Sequence, residues 1–502
     1  MIAYFCTYSS SVQTSYLFYF AGLHSSWVYT YVFHRHLSDG SFSIGSEKKT
    51  LLLPGIFDEP LKNGDNETWF LSRRADELYE TALSSVPSSC VDKLRGRWPR
   101  LVIKTSESTL QKVSSLDRVQ NLISVLNEKF ASNEESPFAF NSVSGFGVLQ
   151  SKDERILRWF SSALLTHTLK KFSARNAPVL VDLSPTYFEV TLPVGSKARL
   201  PEQKFMKVDK FSAFGHLVKL VTLRIPSLGL DQARYSMLSR HGPVLKDEEP
   251  KPKEDKDEKT AEKKANTTSV FLKARDLRQG VDVIYRSECI NPVLYGTSIY
   301  NGTTYRVLGK LEPDIETVKE RTGPFAGKRF SRPVANYDEC HASAMAVIKN
   351  SLEKLRPHLP VESMTDKEEE GVLVVAPHKL KQETELALEV FIRNQTKPKK
   401  KVTRPVFVTG GLKALLIERG LTVPYTGGNI VMKTFMDNLN ISFKRPNGEQ
   451  PFASTDMMYA ATLLDKLLGL SGGTILISPE SVEKMTADWP LAAAFHMYEN
   501  GL

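Results

Sequence analysis

The first thirty-four residues contain no Asp, Glu, Lys or Arg, and Arg35 is the first formal charge. Eleven of the chain's 48 aromatic residues fall within residues 1–33. A stretch this apolar and this aromatic must be covered by something, because it lacks the composition of a solvated tail. A signal peptide needs a basic leading region and a small-residue cleavage site, and neither is evident. A membrane helix over Tyr16 to Phe33 would set His24, Ser25, Ser26 and several tyrosines in hydrocarbon. The remaining reading is strand. Trp27, Tyr29, Tyr31 and Phe33 alternate with Val28, Thr30 and Val32, a period of two built from strong β-formers. Such a strand is expected to add to a sheet edge, either of its own subunit or of a neighbour. Trp27, Tyr29, Tyr31 and Phe33 are therefore the candidate assembly residues.

Residues Lys246 to Thr268 form the opposite extreme. Seven lysines face eight acids there with almost no apolar residue, so the segment cannot bury enough surface to offset its ordering entropy. It is expected to be a charged, disordered linker or insertion. The 502 residues, 41% apolar and 25% charged, allow several domain-sized blocks on either side. The expected division is an aromatic N-terminal strand or arm over 1–50, a helix-rich α+β domain over 51–245, the linker over 246–268, and an α/β domain over 269–502. The expected class is mixed α+β, a large globular body with an α/β-like C-terminal part and a helix-rich N-terminal half.

Periodicity predicts helices over Trp69 to Val86, Ser106 to Ala131 and Ser151 to Arg175, then strands at Val179 to Leu183 and Tyr187 to Val194. Asn301-Gly302 supplies the two positive-φ positions of a type I′ turn, so a hairpin is expected from Ser298 to Val307. A long helix is expected from Tyr337 to Leu355. Beyond Arg404 the pattern alternates: strand at Pro405 to Val408, helices at Leu412 to Arg419, Asn429 to Asn438 and Ser454 to Leu468, and a strand at Thr474 to Ile477. Pro479 follows the capping residue Ser478.

Few motifs carry chemistry. Cys6, Cys90, Cys289 and Cys340 are too few for a disulfide scaffold, and no CxxC pair offers a zinc site. No metal or other cofactor is expected. Gly323 to Arg329 is one residue short of a phosphate loop and has Arg where a hydroxyl is needed. Ser144-Gly-Phe-Gly147 lacks the third glycine of a dinucleotide fingerprint. His34 and His36 share a strand face with no third ligand at metal spacing. Asp338 to His341 gathers four reactive types that point different ways on a helix. Val406 to Leu412 is better placed. A strand running through Gly410-Gly411 into a helix can aim free backbone N–H groups at an anion, and a plain tight turn needs the same glycines.

Basic clusters carry the remaining signal. Lys+Arg exceed Asp+Glu by nine. Lys93, Arg95, Arg97 and Arg100 surround Trp98 without an acid, a set able to neutralise phosphates and stack on a base. Arg321, Lys328, Arg329 and Arg332 lie around two phenylalanines. Lys397, Lys399, Lys400 and Lys401 form a run that could contact phosphate or direct nuclear import. Solvated basic faces are the plainer reading of each cluster. Asn66, Asn266, Asn301, Asn394 and Asn440 begin N-x-[ST] sequons, read as incidental where no secretory signal is evident.

The composition favours a non-enzymatic, self-assembling protein that binds or encloses nucleic acid, as a viral capsid or nucleocapsid subunit does. Its expected partners are copies of itself and nucleic acid, RNA in particular, with no membrane, in a virion or the cytoplasm. Two alternatives stand beside it. One is an enzyme acting on a phosphorylated or nucleic-acid substrate through the Gly410-Gly411 turn and nearby cations. The other is a membrane-tethered interaction protein using residues 1–33.

Overall fold

The computed structural model describes residues 6–8, 11–20, 26–36, 42–53, 55, 67–85, 101–106, 116–131, 146–169, 172–174, 176–195, 205–213, 216–244, 279–310, 314–319, 329–355, 405–424, 426–445, 447–481 and 485–499. The fold is mixed α+β, with nine α-helices and a seven-stranded mixed sheet among the described residues. None of these helices is long and apolar enough to cross a membrane. The chain divides into two compact units. Unit 1 joins Met1–His167 to Pro479–Leu502, and unit 2 is Thr168–Ser478.

Unit 1 is built on the aromatic segment. Strands β1 (Cys6–Tyr8), β2 (Ser11–Phe20), β3 (Ser26–His36), β4 (Phe42–Leu52), β5 (Leu101–Ser106) and β6 (Phe146–Leu149) make one sheet in the order β4-β3-β2-β5-β6, with β1 also on β2. The alternation of β3 now has a cause on each face. Val28 joins Leu71, Leu78, Ile103, Leu122 and Phe130 in a core with the Glu67–Ser85 and Leu116–Leu126 helices. Tyr29, Tyr31 and Phe33 are buried on the other face, where Phe33 meets Phe495 edge-on at 6.3 Å. Phe495 belongs to the Trp489–Glu499 helix, which packs against the Ser151–Leu165 helix. β3 pairs with β2 along one side and β4 along the other, so its backbone bonds are met within its own chain. The expected assembly residues Trp27, Tyr29, Tyr31 and Phe33 therefore sit in an internal strand with no edge to offer a neighbour.

Unit 2 carries β7 (Val179–Leu183), β8 (Phe188–Val194), β9 (Met206–Ala213), β10 (His216–Ile225), β16 (Val406–Thr409), β17 (Asn429–Val431) and β18 (Ile475–Ile477) in the order β17-β18-β16-β7-β8-β10-β9. Between β10 and β16 come β11 (Val283–Ser287), β12 (Tyr295–Tyr300) and β13 (Thr303–Gly309) in a three-stranded sheet, and the pair β14 (Asp314–Lys319) and β15 (Arg329–Val334). β16 and β18, from beyond the charged run, run parallel to β7, from before it. The two sides of that run thus share one sheet. The expected boundary at 246–268 lies outside the described residues and does not separate the folded units.

Both units repeat one strand scheme. Three strands joined in antiparallel pairs (β2-β3-β4; β7-β8-β10) are extended on the first strand's other side by two later strands parallel to it (β5, β6; β16, β18). Later strands reach the sheet through helical crossovers, as parallel pairing requires.

Three expected elements change. Asn429–Val431 is strand, because Ile430 and Val431 are β-branched and pair with β18, and the helix begins at Met432. The helix from Ser151 ends at Leu165, where His167 turns into the left-handed region at φ 55°. Ser106 closes a strand, and the next described helix starts at Leu116. Cys289 and Cys340, both fully buried, are joined in a disulfide that ties the segment after β11 to the Tyr337–Leu355 helix. Cys340 is thereby removed from any thiol or metal role for Asp338 to His341.

Candidate functional site

Strand register places four polar residues in one row across unit 2. Thr409 on β16 pairs with Asp182 on β7, Asp182 with Glu189 on β8, and Glu189 with Arg224 on β10. Cross-strand partners share a face. The adjacent row, Val408, Val181, Val190 and Leu223, points to the opposite face and into the large apolar core. The next pair on the same face, Thr191 and Thr222, is neutral and joined by its hydroxyls at 3.1 Å, so the charged groups gather at this end of β8 and β10.

The row ends at a cluster of tight turns. The Ser184 N–H donates to the Tyr187 carbonyl, and the Thr186 N–H donates to Ser184 Oγ at 3.2 Å, which closes the β7–β8 turn. The Leu230 and Asp231 N–H groups, opening the Leu230–Leu238 helix, donate to the Ser184 and Pro185 carbonyls. On the other side, Gly410 has φ 63°, and a Cβ there would lie 2.2 Å from Asp182 Oδ1. Only glycine lets the β16 turn pass so close to the carboxylate while adopting that backbone. The Gly410–Glu418 helix starts at this point, so its first N–H groups, without intrahelical partners, lie at the end of the polar row.

The electrostatics separate the two carboxylates. Glu189 is 5% exposed and accepts from Arg224 Nε at 2.6 Å. Burial works against the Arg224 charge, yet Glu189 raises the guanidinium above its ordinary pKa. Arg224 also lies over the Tyr187 ring at 4.2 Å. That carboxylate is fully committed. Asp182 is different. Its Oδ2 accepts from Tyr187 Oη at 3.4 Å, while Oδ1 is buried and has no hydrogen-bond partner among the described residues. A buried carboxylate oxygen in that condition is satisfied by a proton donor or a cation. No group of three His, Cys, Asp or Glu side chains stands at metal-binding spacing among the described residues.

Among the described residues, unit 1 has no equivalent row at the corresponding end of β2. The last two rows of β2 read Ile103, Tyr19, Val28 and Thr50, then Lys104, Phe20, Trp27 and Leu51, with no carboxylate in either.

The basic residues singled out in the sequence are not part of this site. Lys93, Arg95, Arg97, Trp98, Arg100, Arg321, Lys328, Lys397, Lys399, Lys400 and Lys401 lie outside the described residues. Arg329 is exposed at the start of β15. Arg332 is spent on Glu316, which accepts its Nη2 at 2.8 Å and Lys444 Nζ at 3.0 Å. Gly410 and Gly411 are at the site. Asp182 and Glu189 were missed, although the acid inside Val-Leu-Val-Asp-Leu, followed by Ser-Pro-Thr, was a readable signal.

No family model matches the chain, and no curated protein matches it. Solved structures do align along almost all of it. The chain is similar to a nucleoside triphosphate hydrolase from Neospora caninum at 10% identity and a TM-score of 0.46, covering 97% of this chain and 92% of that one. It is also similar to a PPX-GPPA enzyme from Aquifex aeolicus at 9% identity and a TM-score of 0.40, covering 96% and 99%. These neighbours are phosphate-hydrolysing or related enzymes by name, not capsid or nucleocapsid proteins. The expected self-assembling, RNA-binding structural protein is corrected: none of these structures is a capsid or nucleocapsid protein by name, and the aromatic strand meant for a neighbour is internal to its own sheet.

Proposed function

We propose that the chain is an enzyme acting on a phosphorylated substrate, with its site at the Asp182 row of unit 2. The observation that carries this reading is the unpartnered, buried Oδ1 of Asp182 set against the Gly410-Gly411 turn. The Gly410–Glu418 helix offers N–H groups and a positive dipole end to a phosphate. Asp182 Oδ1 accepts a hydrogen bond from the attacking water and holds it in line with the phosphorus. The water oxygen forms the new bond to phosphorus, the bond to the leaving oxygen breaks, and the water's proton leaves to solvent. Catalysis of this kind is positioning plus stabilisation of charge on the phosphoryl oxygens. A divalent cation arriving with a phosphate chain needs only one or two protein carboxylates, and the Asp182 oxygens fit that donor set. Tyr187 holds Oδ2, and the Glu189–Arg224 pair fixes the strand beside it.

Release of inorganic phosphate by the full chain, from a panel of nucleoside triphosphates and inorganic polyphosphate with Mg²⁺, tests the proposal. Asp182→Asn is expected to lower kcat by roughly 10²-fold or more with the circular dichroism unchanged. A wild-type chain inert toward the whole panel, or an Asp182→Asn variant of full activity, overturns it.

A further inference from the structure

We infer that Asn301 carries an N-linked oligosaccharide, an assignment independent of the phosphate site. Asn301-Gly302-Thr303 is a sequon, and its first two residues form the whole connection between β12 and β13. Asn301 and Gly302 have φ of 48° and 79°, the pair of positive values that a two-residue hairpin turn requires. Asn301 is exposed, its side chain makes no hydrogen bond to a described residue, and a Cβ built on Gly302 meets nothing within 4 Å. An oligosaccharide on Nδ2 therefore starts from an exposed side chain beside an unobstructed turn residue.

Two further observations point the same way. Cys289 and Cys340, which precede and follow the turn along the chain, are fully buried and joined in a disulfide. Disulfides persist in the oxidising compartments of secreted and surface proteins, where N-x-Ser/Thr asparagines are also modified. The bridge forms as two thiols pass two electrons and two protons to a protein disulfide of that compartment, which is reduced in exchange. The second observation is the strand that leads into the turn. β12 is the edge of its sheet, and it exposes Tyr295 at 45% and Ile299 at 67%. An apolar open edge invites pairing with another chain, and a bulky hydrophilic group at its end blocks that approach. Asn440 contrasts with this. It lies inside the Met432–Lys444 helix, where Ser442 Oγ donates to the Leu439 carbonyl at 2.7 Å. The other sequons, at Asn66, Asn266 and Asn394, lie outside the described residues. The incidental reading of the Asn301 sequon is thereby replaced.

In the transfer, Nδ2 of Asn301 forms a bond to the anomeric carbon of a lipid-pyrophosphate-linked oligosaccharide. The carbon's bond to the pyrophosphate oxygen breaks, Nδ2 loses a proton, and the lipid pyrophosphate leaves. Trypsin releases residues 287–306 as one peptide holding both Cys289 and Asn301. The full chain, purified from the cells that make it, is alkylated and digested without reduction. The expected result is this peptide linked to the one containing Cys340, with Asp at 301 after peptide N-glycosidase. Asn301→Gln and Thr303→Ala, the latter keeping the turn residues, should each lose one glycan-sized step in gel mobility. Recovery of most of the 287–306 peptide with unmodified Asn301, or unchanged mobility in both variants, overturns the inference.

Discussion

Asp456 is 5% exposed, and its carboxylate takes two hydrogen bonds from one guanidinium, Arg234 Nε at 2.7 Å and Nη2 at 2.6 Å. Burial pushes the Asp456 carboxyl above its usual range, with Arg234 acting against that shift. The pair holds the Leu230–Leu238 helix, which starts at the candidate site, to the Ala453–Thr462 helix. Arg234→Ala leaves the buried Asp456 carboxylate without its hydrogen-bonded partner, with Arg419 as the remaining nearby cation, and about 3–5 kcal/mol of stability should be lost. Replacing both partners by apolar residues should cost less, because no orphan remains. Urea midpoints compare the variants, and an Arg234→Ala variant within about 1 kcal/mol of wild type would show that the pair is dispensable. Asp182 obeys the same electrostatics with the opposite consequence. Its Oδ1 lacks a partner among the described residues, and the proposed phosphate chemistry rests on that oxygen, whereas both Asp456 oxygens are taken by Arg234.

At the scale of elements, the Gly410–Glu418 helix offers an internal control. Gly410 precedes its first turn at φ 63° and Gly420 follows its last at φ 65°. A Cβ on Gly410 would strike Asp182 Oδ1 and the Leu183 carbonyl, whereas one on Gly420 meets nothing within 4 Å. Both alanine variants pay the left-handed backbone cost of about 1–2 kcal/mol. Only Gly410→Ala should also abolish phosphate release, since it displaces the carboxylate and the helix start. Equal activity in the two variants would detach the turn from the site. The strand–helix junction itself was readable from Val-Phe-Val-Thr-Gly-Gly, as were the Asn301-Gly302 hairpin and the Tyr337–Leu355 helix, because their signals are local. Asn429–Val431 was misread because its pairing with β18 decided between strand and helix.

At the scale of the molecule, both units enclose a tyrosine that must stay neutral. Tyr31 in unit 1 donates to Glu47, and Tyr459 in unit 2 donates to the Leu228 carbonyl at 2.9 Å. Burial raises both phenols well above their ordinary value near 10, with Glu47 adding to the effect at Tyr31. The folded pKa is raised above the unfolded one, so this stabilisation is complete below about pH 10 and is lost as pH rises through the folded values. Alkaline titration should therefore show tyrosinate absorbance from these residues rising together with loss of the circular dichroism signal. Tyr31→Phe and Tyr459→Phe should extend stability to higher pH in their own units. Full tyrosine ionisation with the fold intact would contradict the burial.

The sequence by itself determined the class, mixed α+β, and most element positions, since propensity and periodicity act within a few residues. The alternation from Trp27 to Phe33 also pointed to a strand, which the structure extends over Ser26–His36. The tertiary structure alone decided that this strand is internal, because a period of two fixes two faces but not who covers them. It decided that β7 and β16, separated by more than two hundred residues, stand side by side. That pairing sets Asp182 beside Gly410 and creates the row with Glu189 and Arg224. No local signal can carry such a contact, for it exists only once the sheet has chosen its strand order.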